Sequence, residues 1–421
     1  MNKRILSIIL VLFTATSAFA QLESTADPSE TGFVPERLAR IDSAIEAEIA
    51  AGKIPGAVAL IARNGTIVYQ KSFGYADIDT QTRMQNDSIF RIASMTKAVT
   101  TVATMMLYEQ GRFQLNDPLS KYIPAFAHMK VISAVGDDGS LSTTDASRPI
   151  RIIDLLTHSS GISYPFIPGK LQKTYVEAGV IDGVTSKKVK LQSKIELLAK
   201  QPLLFEPGSA WAYGLSSDVL GYLVEVVSGK PLDRFFADEI FAPLGMNDTY
   251  FYLPEDKADR LVTLYAAVGD EGLIVSKGDE SSIKLDNPRY PVEGAKTYFS
   301  GGAGLSSTAI DYARLCQMLL NDGTFNGNRL LGRKSVELMR TARADIDKDG
   351  DADFGLGFYI TDLETTGELG SPGTFSWGGA FDTSYWIDPA ENLVAVIMGQ
   401  VRPVQSDINK RFQTLVYQAL E

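Results

Sequence analysis

The stretch from Ile89 to Arg112 constrains the fold more than any other part of the chain. Met95, Ala98, Val99, Val102, Ala103, Met105, Met106 and Leu107 make it apolar on nearly every side. A helix of that kind belongs in an interior and not on a surface. Ser94, a residue type that favours helix starts, predicts where it opens, and Gly111, tolerant of left-handed backbone, predicts where it stops. Lys97 is the exception, a charge in the first turn of a helix otherwise suited to burial. Three residues make about one turn, so the Lys97 ammonium and the Ser94 hydroxyl share a face. A lysine beside a serine at a buried helix start can activate that serine as a nucleophile. The same spacing recurs at Ser281-Ser282-Ile283-Lys284, among Gly278, Asp279, Glu280, Asp286, Asn287 and Pro288. That copy reads as a polar loop. Context selects Ser94.

The chain begins Met1-Asn2-Lys3-Arg4, runs apolar from Ile5 to Phe13, and reaches Ala18-Phe19-Ala20 before Gln21. A basic start, a short apolar core and an A-x-A end predict a secretory signal peptide over residues 1–20, cut after Ala20. Gln21 stands where a lipoprotein has cysteine, and no later run approaches ~20 apolar residues, so no stable membrane insertion is expected. The formal charge is −11, more negative once Lys3 and Arg4 are removed. Such a chain has no electrostatic case for nucleic acid or an anionic membrane. A single cysteine, Cys316, excludes an internal disulfide, and its helix-like, apolar setting predicts a small buried side chain. With 45% hydrophobic residues, the mature chain can bury a large core.

Leu38, Ile41, Ala44, Ile45 and Ile49 recur at helical spacing, which predicts a helix over 35–51. Ala57 to Arg63 and Thr66 to Gln70 flank Asn64-Gly65, the strongest short hairpin signal. From about 113 to 290 the pattern is helical and loop-rich. Val219 to Val227 reads as a helix closed by Gly229, and 134–149, 164–190 and 266–296 read as long loops. The β pattern returns at Gly355–Ile360, Thr374–Trp377, Thr383–Ile387 and Leu393–Met398, and an amphipathic helix over Asp407–Leu420 closes the chain. Strands at both ends with helices between predict an α/β (α+β) fold. One antiparallel sheet, assembled from both chain ends, is flanked by helices and carries a mostly helical insertion.

Two further segments match what the Ser94 helix requires: Phe205 to Gly221, which contains Tyr213-Gly214-Leu215, and Phe375-Ser376-Trp377-Gly378-Gly379-Ala380. With Leu155-Leu156-Thr157-His158-Ser159-Ser160-Gly161, Pro243-Leu244-Gly245-Met246 and Gly301-Gly302-Ala303-Gly304-Leu305, their order resembles the serine β-lactamase and penicillin-binding superfamily. The likeness spans nearly all the mature chain. It is closest to class C β-lactamases and, above all, family VIII carboxylesterases. The resemblance implies a β-lactamase-like domain over 21–421, with a sheet part at about 33–90 and 291–421 and a mostly helical part at about 91–290. It implies that Ser94 attacks the carbonyl, that Tyr213 moves the proton with Lys97, and that the backbone N–H groups of Ser94 and Ala380 form the oxyanion hole. It also places Leu215, Trp377, Gly378 and Gly379 at the substrate.

Two departures bear on substrate. Lactamases of this kind usually read Y-x-N where this chain has Tyr213-Gly214-Leu215, and K-T-G where it has Trp377-Gly378-Gly379. An amide and a cation give way to two apolar side chains, and family VIII esterases are similar at the second place. His128 and His158 read as structural and give no separate support for a Ser-His-Asp triad. No metal is expected: no cluster has zinc spacing. Asp345-Ile346-Asp347-Lys348-Asp349-Gly350-Asp351 opens like a calcium loop, but Leu356 stands where a bidentate Glu is wanted. The expectation is an exported serine hydrolase without cofactor, acting on a small ester or amide through an acyl-enzyme on Ser94, and favouring short acyl esters. A β-lactamase or D-amino-acid peptidase is the alternative, and a catalytically silent binding or sensor protein of the same fold is the other. Oligomeric state is left open.

Overall fold

A computed structural model describes residues 22–24, 27–269, 272–279, 285, 287–362 and 367–421. The expected signal peptide and the Ser281–Lys284 segment lie outside the described residues. Helix α1 (Pro35–Ala50) precedes a hairpin of β1 (Gly56–Arg63) and β2 (Thr66–Asp77), as the Asn-Gly signal predicts. The chain then enters α2 (Thr96–Glu109), and later α3 (Ser216–Ser228) and α4 (Ala309–Leu320). It returns as β3 (Phe375–Gly379), β4 (Thr383–Asp388) and β5 (Leu393–Met398), and ends on α5 (Ile408–Tyr417).

These strands form one sheet in the order β2-β1-β5-β4-β3. β5 pairs antiparallel with β1, Leu393 opposite Arg63 and Met398 opposite Val58, so the two chain ends meet at the sheet centre. Glu23–Ser24 adds parallel to β2, which makes the sheet mixed and not wholly antiparallel. Alternation sorts the central side chains. Ala57, Ala59, Ile61, Leu393, Ala395 and Ile397 face α1 and α5, where Ile41, Ile45, Phe412 and Val416 close the core. Val58, Leu60, Ala62, Val394, Val396 and Met398 face the larger core that holds α2, α3 and α4. Two buried faces explain why β5 is apolar throughout.

Four details differ from expectation. The 134–149 loop is largely a hairpin, Lys130–Val135 with Leu141–Asp145, mostly exposed and so without the apolar alternation that marks a half-buried strand. Within 164–190, Gln172–Ala178 is a helix stopped by Gly179. Tyr265–Val268 pairs with Gly272–Val275 inside 266–296. Of Gly355–Ile360 only Tyr359–Ile360 is a strand, because the chain bends through a positive φ of 80° at Gly357. Cys316 is fully buried in α4, and burial pushes its thiol well above the ordinary value.

α4 also braces the Ser94 segment, since its buried Tyr312 hydroxyl donates to the Met95 carbonyl at 2.8 Å. The helix is capped by Thr308, whose side chain accepts the Asp311 N–H. Thr308→Ala will cost about 1 kcal/mol of stability, the ordinary scale for a lost N-cap. Denaturant unfolding read by circular dichroism measures it, and an unchanged midpoint refutes the cap's contribution.

Candidate active site

Ser94 lies in a tight 3-10 turn, Ala93–Met95, that runs directly into α2. Ala93 has a φ of +41°, a conformation L-residues seldom adopt, so the chain is bent sharply just before Ser94. The Ser94 side chain does not cap the helix. Its Oγ instead accepts from Lys97 Nζ at 3.2 Å and from Tyr213 Oη at 2.6 Å. The sequence-predicted trio therefore meets at one atom.

Lys97 is only 2% exposed. Its ammonium has three protons, and they find three acceptors: Ser94 Oγ, Tyr164 Oη at 3.1 Å and the Gly302 carbonyl at 2.8 Å. Its charge also lies 4.7 Å from the centre of the Tyr213 ring and 5.5 Å from that of Tyr164. Tyr213 comes from the turn before α3 and rests in an aromatic wall. Trp211 stacks beside it at 6.1 Å, and His158 and Trp377 lie at 5.2 and 5.7 Å. Phe354 meets both Trp211 and Trp377 edge-on.

β3 passes so close to the Ser94 turn that a Cβ on Gly379 would sit 2.4 Å from the Ile92 carbonyl oxygen. Only glycine fits there. Ala380 follows in the turn between β3 and β4, and it packs near the small cluster that includes Ala93 and Phe381. Trp377 is half-buried on the same strand, within reach of the Tyr213 ring. Leu215 is not on the cleft wall: it is 3% exposed and belongs to the main core.

His158 is buried among these rings, and burial, with the charge of Lys97, pushes it down to about 3. It stays neutral at ordinary pH and makes no bond to Ser94, in line with a structural histidine. His128 is exposed. Asp345, Asp347 and Asp349 gather with ligand atoms within 4.8 Å of one another. Asp345 accepts the Lys348 and Gly350 N–H groups, closing an acidic turn, and Leu356 is fully buried.

Two site residues escape sequence reasoning. Tyr164, which accepts a hydrogen bond from Lys97, follows the Ser159-Ser160-Gly161 loop with nothing to distinguish it from a core tyrosine. Asp218 is fully buried on α3 and contacts the 300–302 turn. Its signal was available: like Lys97, it is a charge in the first turn of a largely apolar helix.

The beta-lactamase family model matches residues 41–418. The chain belongs to that family. This beta-lactamase family protein is a serine hydrolase, and it is 29% identical over 373 residues to esterase EstB of Burkholderia gladioli, covering 86% of this chain and 89% of the relative. It is 30% identical over 447 residues to a putative D-alanyl-D-alanine carboxypeptidase of Salmonella typhi, covering 99% and 95%. Among solved structures it is similar to EstCE1, described as a hydrolase with promiscuous acyltransferase activity. There the identity is 29%, the TM-score 0.77, and the coverage 91% of this chain and 99% of that one.

Proposed function

We propose that this protein is an exported carboxylesterase for short acyl esters that works through an acyl-enzyme on Ser94. The observation that carries the reading is Ser94 Oγ held between Lys97 Nζ at 3.2 Å and Tyr213 Oη at 2.6 Å. The Tyr213 oxygen, as phenolate beside the Lys97 ammonium, takes the Ser94 proton as Oγ bonds to the ester carbonyl carbon. The N–H groups of Ser94 and Ala380 hold the resulting oxyanion. When the tetrahedral adduct collapses, the bond to the leaving oxygen breaks, and Tyr213 hands its proton to that oxygen as the alcohol departs. Water then adds to the acyl carbon, giving its proton to Tyr213. The carboxylic acid leaves as the proton returns to Ser94.

Trp377 and the rings of Trp211, Tyr213 and Phe354 favour an ester with a small apolar acyl group. Gly378 and Gly379 leave room for it to lie along β3, and the buried Leu215 shapes the turn that presents Tyr213. The carboxypeptidase relative supports a second reading, hydrolysis of a D-amino-acid peptide or a lactam by the same trio. The Lys3-Arg4 start, the Ile5–Phe13 run and Ala18-Phe19-Ala20 support export with cleavage before Gln21.

Intact mass and peptide mapping after exposure to a fluorophosphonate test the core of the proposal. The expected result is a single adduct on Ser94 of a chain beginning at Gln21. An adduct on Ser281, or none on protein that hydrolyses esters, rejects the assignment. A mature chain that retains residues 1–20 rejects export.

A further inference from the structure

The buried ammonium of Lys97 poses a charge problem. Its three hydrogen bonds go to two hydroxyls and one carbonyl, and no ion pair joins it to a carboxylate among the described residues. A buried charge without a nearby opposite charge is expensive. Asp218 supplies that opposite charge from the other side of Gly302. Its side chain is fully buried. Oδ1 accepts the Ser300 hydroxyl at 2.5 Å and the Gly302 N–H at 3.4 Å, while Oδ2 has no hydrogen-bond partner. Gly302 in turn offers its carbonyl to Lys97 Nζ at 2.8 Å. A Cβ on Gly302 would lie 2.5 Å from Asp218 Oδ2 and 3.2 Å from Tyr164 Oη. Carboxylate, phenol and ammonium thus converge on one residue that has no side chain.

We propose that Asp218 is a positioning residue for proton transfer at Ser94, balancing the Lys97 ammonium across Gly302 and fixing the carbonyl to which that ammonium donates. This rests on the assignment of Ser94, Lys97 and Tyr213 proposed above. Burial pushes the Asp218 carboxyl up to about 6, opposed by the Ser300 hydrogen bond and by the charge of Lys97. Below that pH the carboxyl is neutral, its hold on the Ser300 hydroxyl and the Gly302 N–H weakens, and the carbonyl that orients the Lys97 ammonium is no longer fixed.

Other titratable groups face Asp218 or the elements packed against it. Tyr164 and Tyr298, on the neighbouring loops, are held neutral by burial and by Asp218 itself. Asp182 acts on both tyrosines as a second negative charge. From the helices packed on α3, Asp154 pairs with Arg148 and Arg151, Glu196 faces Tyr222, and Asp233 faces Glu225. Asp382 is pushed up to about 7 by burial and accepts from Asn409 at the start of α5.

The test is the pH dependence of kcat and KM for a short nitrophenyl ester. In the unaltered protein kcat falls on the acid side near pH 6, the value to which burial moves Asp218. Asp218→Asn, which keeps shape and loses charge, will lower the alkaline plateau of kcat at least about tenfold, leave KM nearly unchanged and abolish that limb. Ser300→Ala removes a hydrogen bond that lowers the Asp218 value, so the limb will move to higher pH. An acid limb that persists in Asp218→Asn, or stays in place in Ser300→Ala, belongs to another group such as Asp382 and overturns the inference. Should Asp218→Asn fail to fold, as read by thermal melting, Ser300→Ala decides alone. Fluorophosphonate labelling of the unaltered protein separates the two levels. An adduct on Ser94 with unmoved limbs removes Asp218 only, whereas active protein without that adduct removes the whole assignment.

Discussion

Lys97→Ala will lower ester turnover by more than about a hundredfold, the scale for removing a positioned proton-transfer group. The ammonium touches Ser94 Oγ and lies against the Tyr213 ring, so its loss takes away both a contact to the nucleophile and the charge that stabilises a phenolate. Tyr213→Phe will cost a similar factor, because it removes the hydroxyl placed 2.6 Å from Ser94 Oγ to take the proton. Tyr213→Phe keeps the packing: Tyr213 is half-buried in a wall of rings that phenylalanine still fills. Steady-state kinetics with a short nitrophenyl ester measure both, beside fluorophosphonate labelling of Ser94. Near-normal turnover by Tyr213→Phe would mean that another group moves the proton, and Tyr164, already bonded to Lys97, is the one in place.

Short-chain nitrophenyl esters will be turned over with far higher kcat/KM than a chromogenic cephalosporin. By the resemblance, Trp377 and Leu215 take the places of a cation and an amide in lactamases; the first is a ring beside Tyr213 and the second a buried core residue. A lactam's carboxylate and side-chain amide then enter the dry site unpaired, at roughly 1–3 kcal/mol for each. At ~1.36 kcal/mol per tenfold, two such losses weaken lactam turnover by about two to four powers of ten. A short ester has neither group to strand, and nitrophenolate leaves more readily than an amine. The reverse ranking at equal enzyme would overturn the esterase reading and leave the Ser94 chemistry standing.

The division between what was legible and what was not follows the range of each interaction. Local patterns carried the hairpin at Asn64-Gly65, the helices over 35–51 and 219–227, and the closing helix, because period and turn chemistry act within a few residues. They also placed Ser94 beside Lys97, since a serine and a lysine one turn apart on an apolar helix are neighbours by geometry alone. The polar hairpin at Lys130–Asp145 and the helix at Gln172–Ala178 escaped because solvent-facing segments lack the apolar period that marks an element.

By itself the sequence determined that both chain ends build the sheet, that Ser94 and Lys97 share one turn at a buried helix start, and, through ordered motifs, that Tyr213 meets them. Only the tertiary structure decided the partners of the Lys97 charge. Tyr164 lies 67 residues away, the Gly302 carbonyl 205, and Asp218 reaches the site by bonding the turn that carries Gly302. No local period encodes such contacts. They exist because burial forces every proton of the ammonium to find an acceptor and every buried charge to find its opposite, and which residues serve is settled when the helices pack.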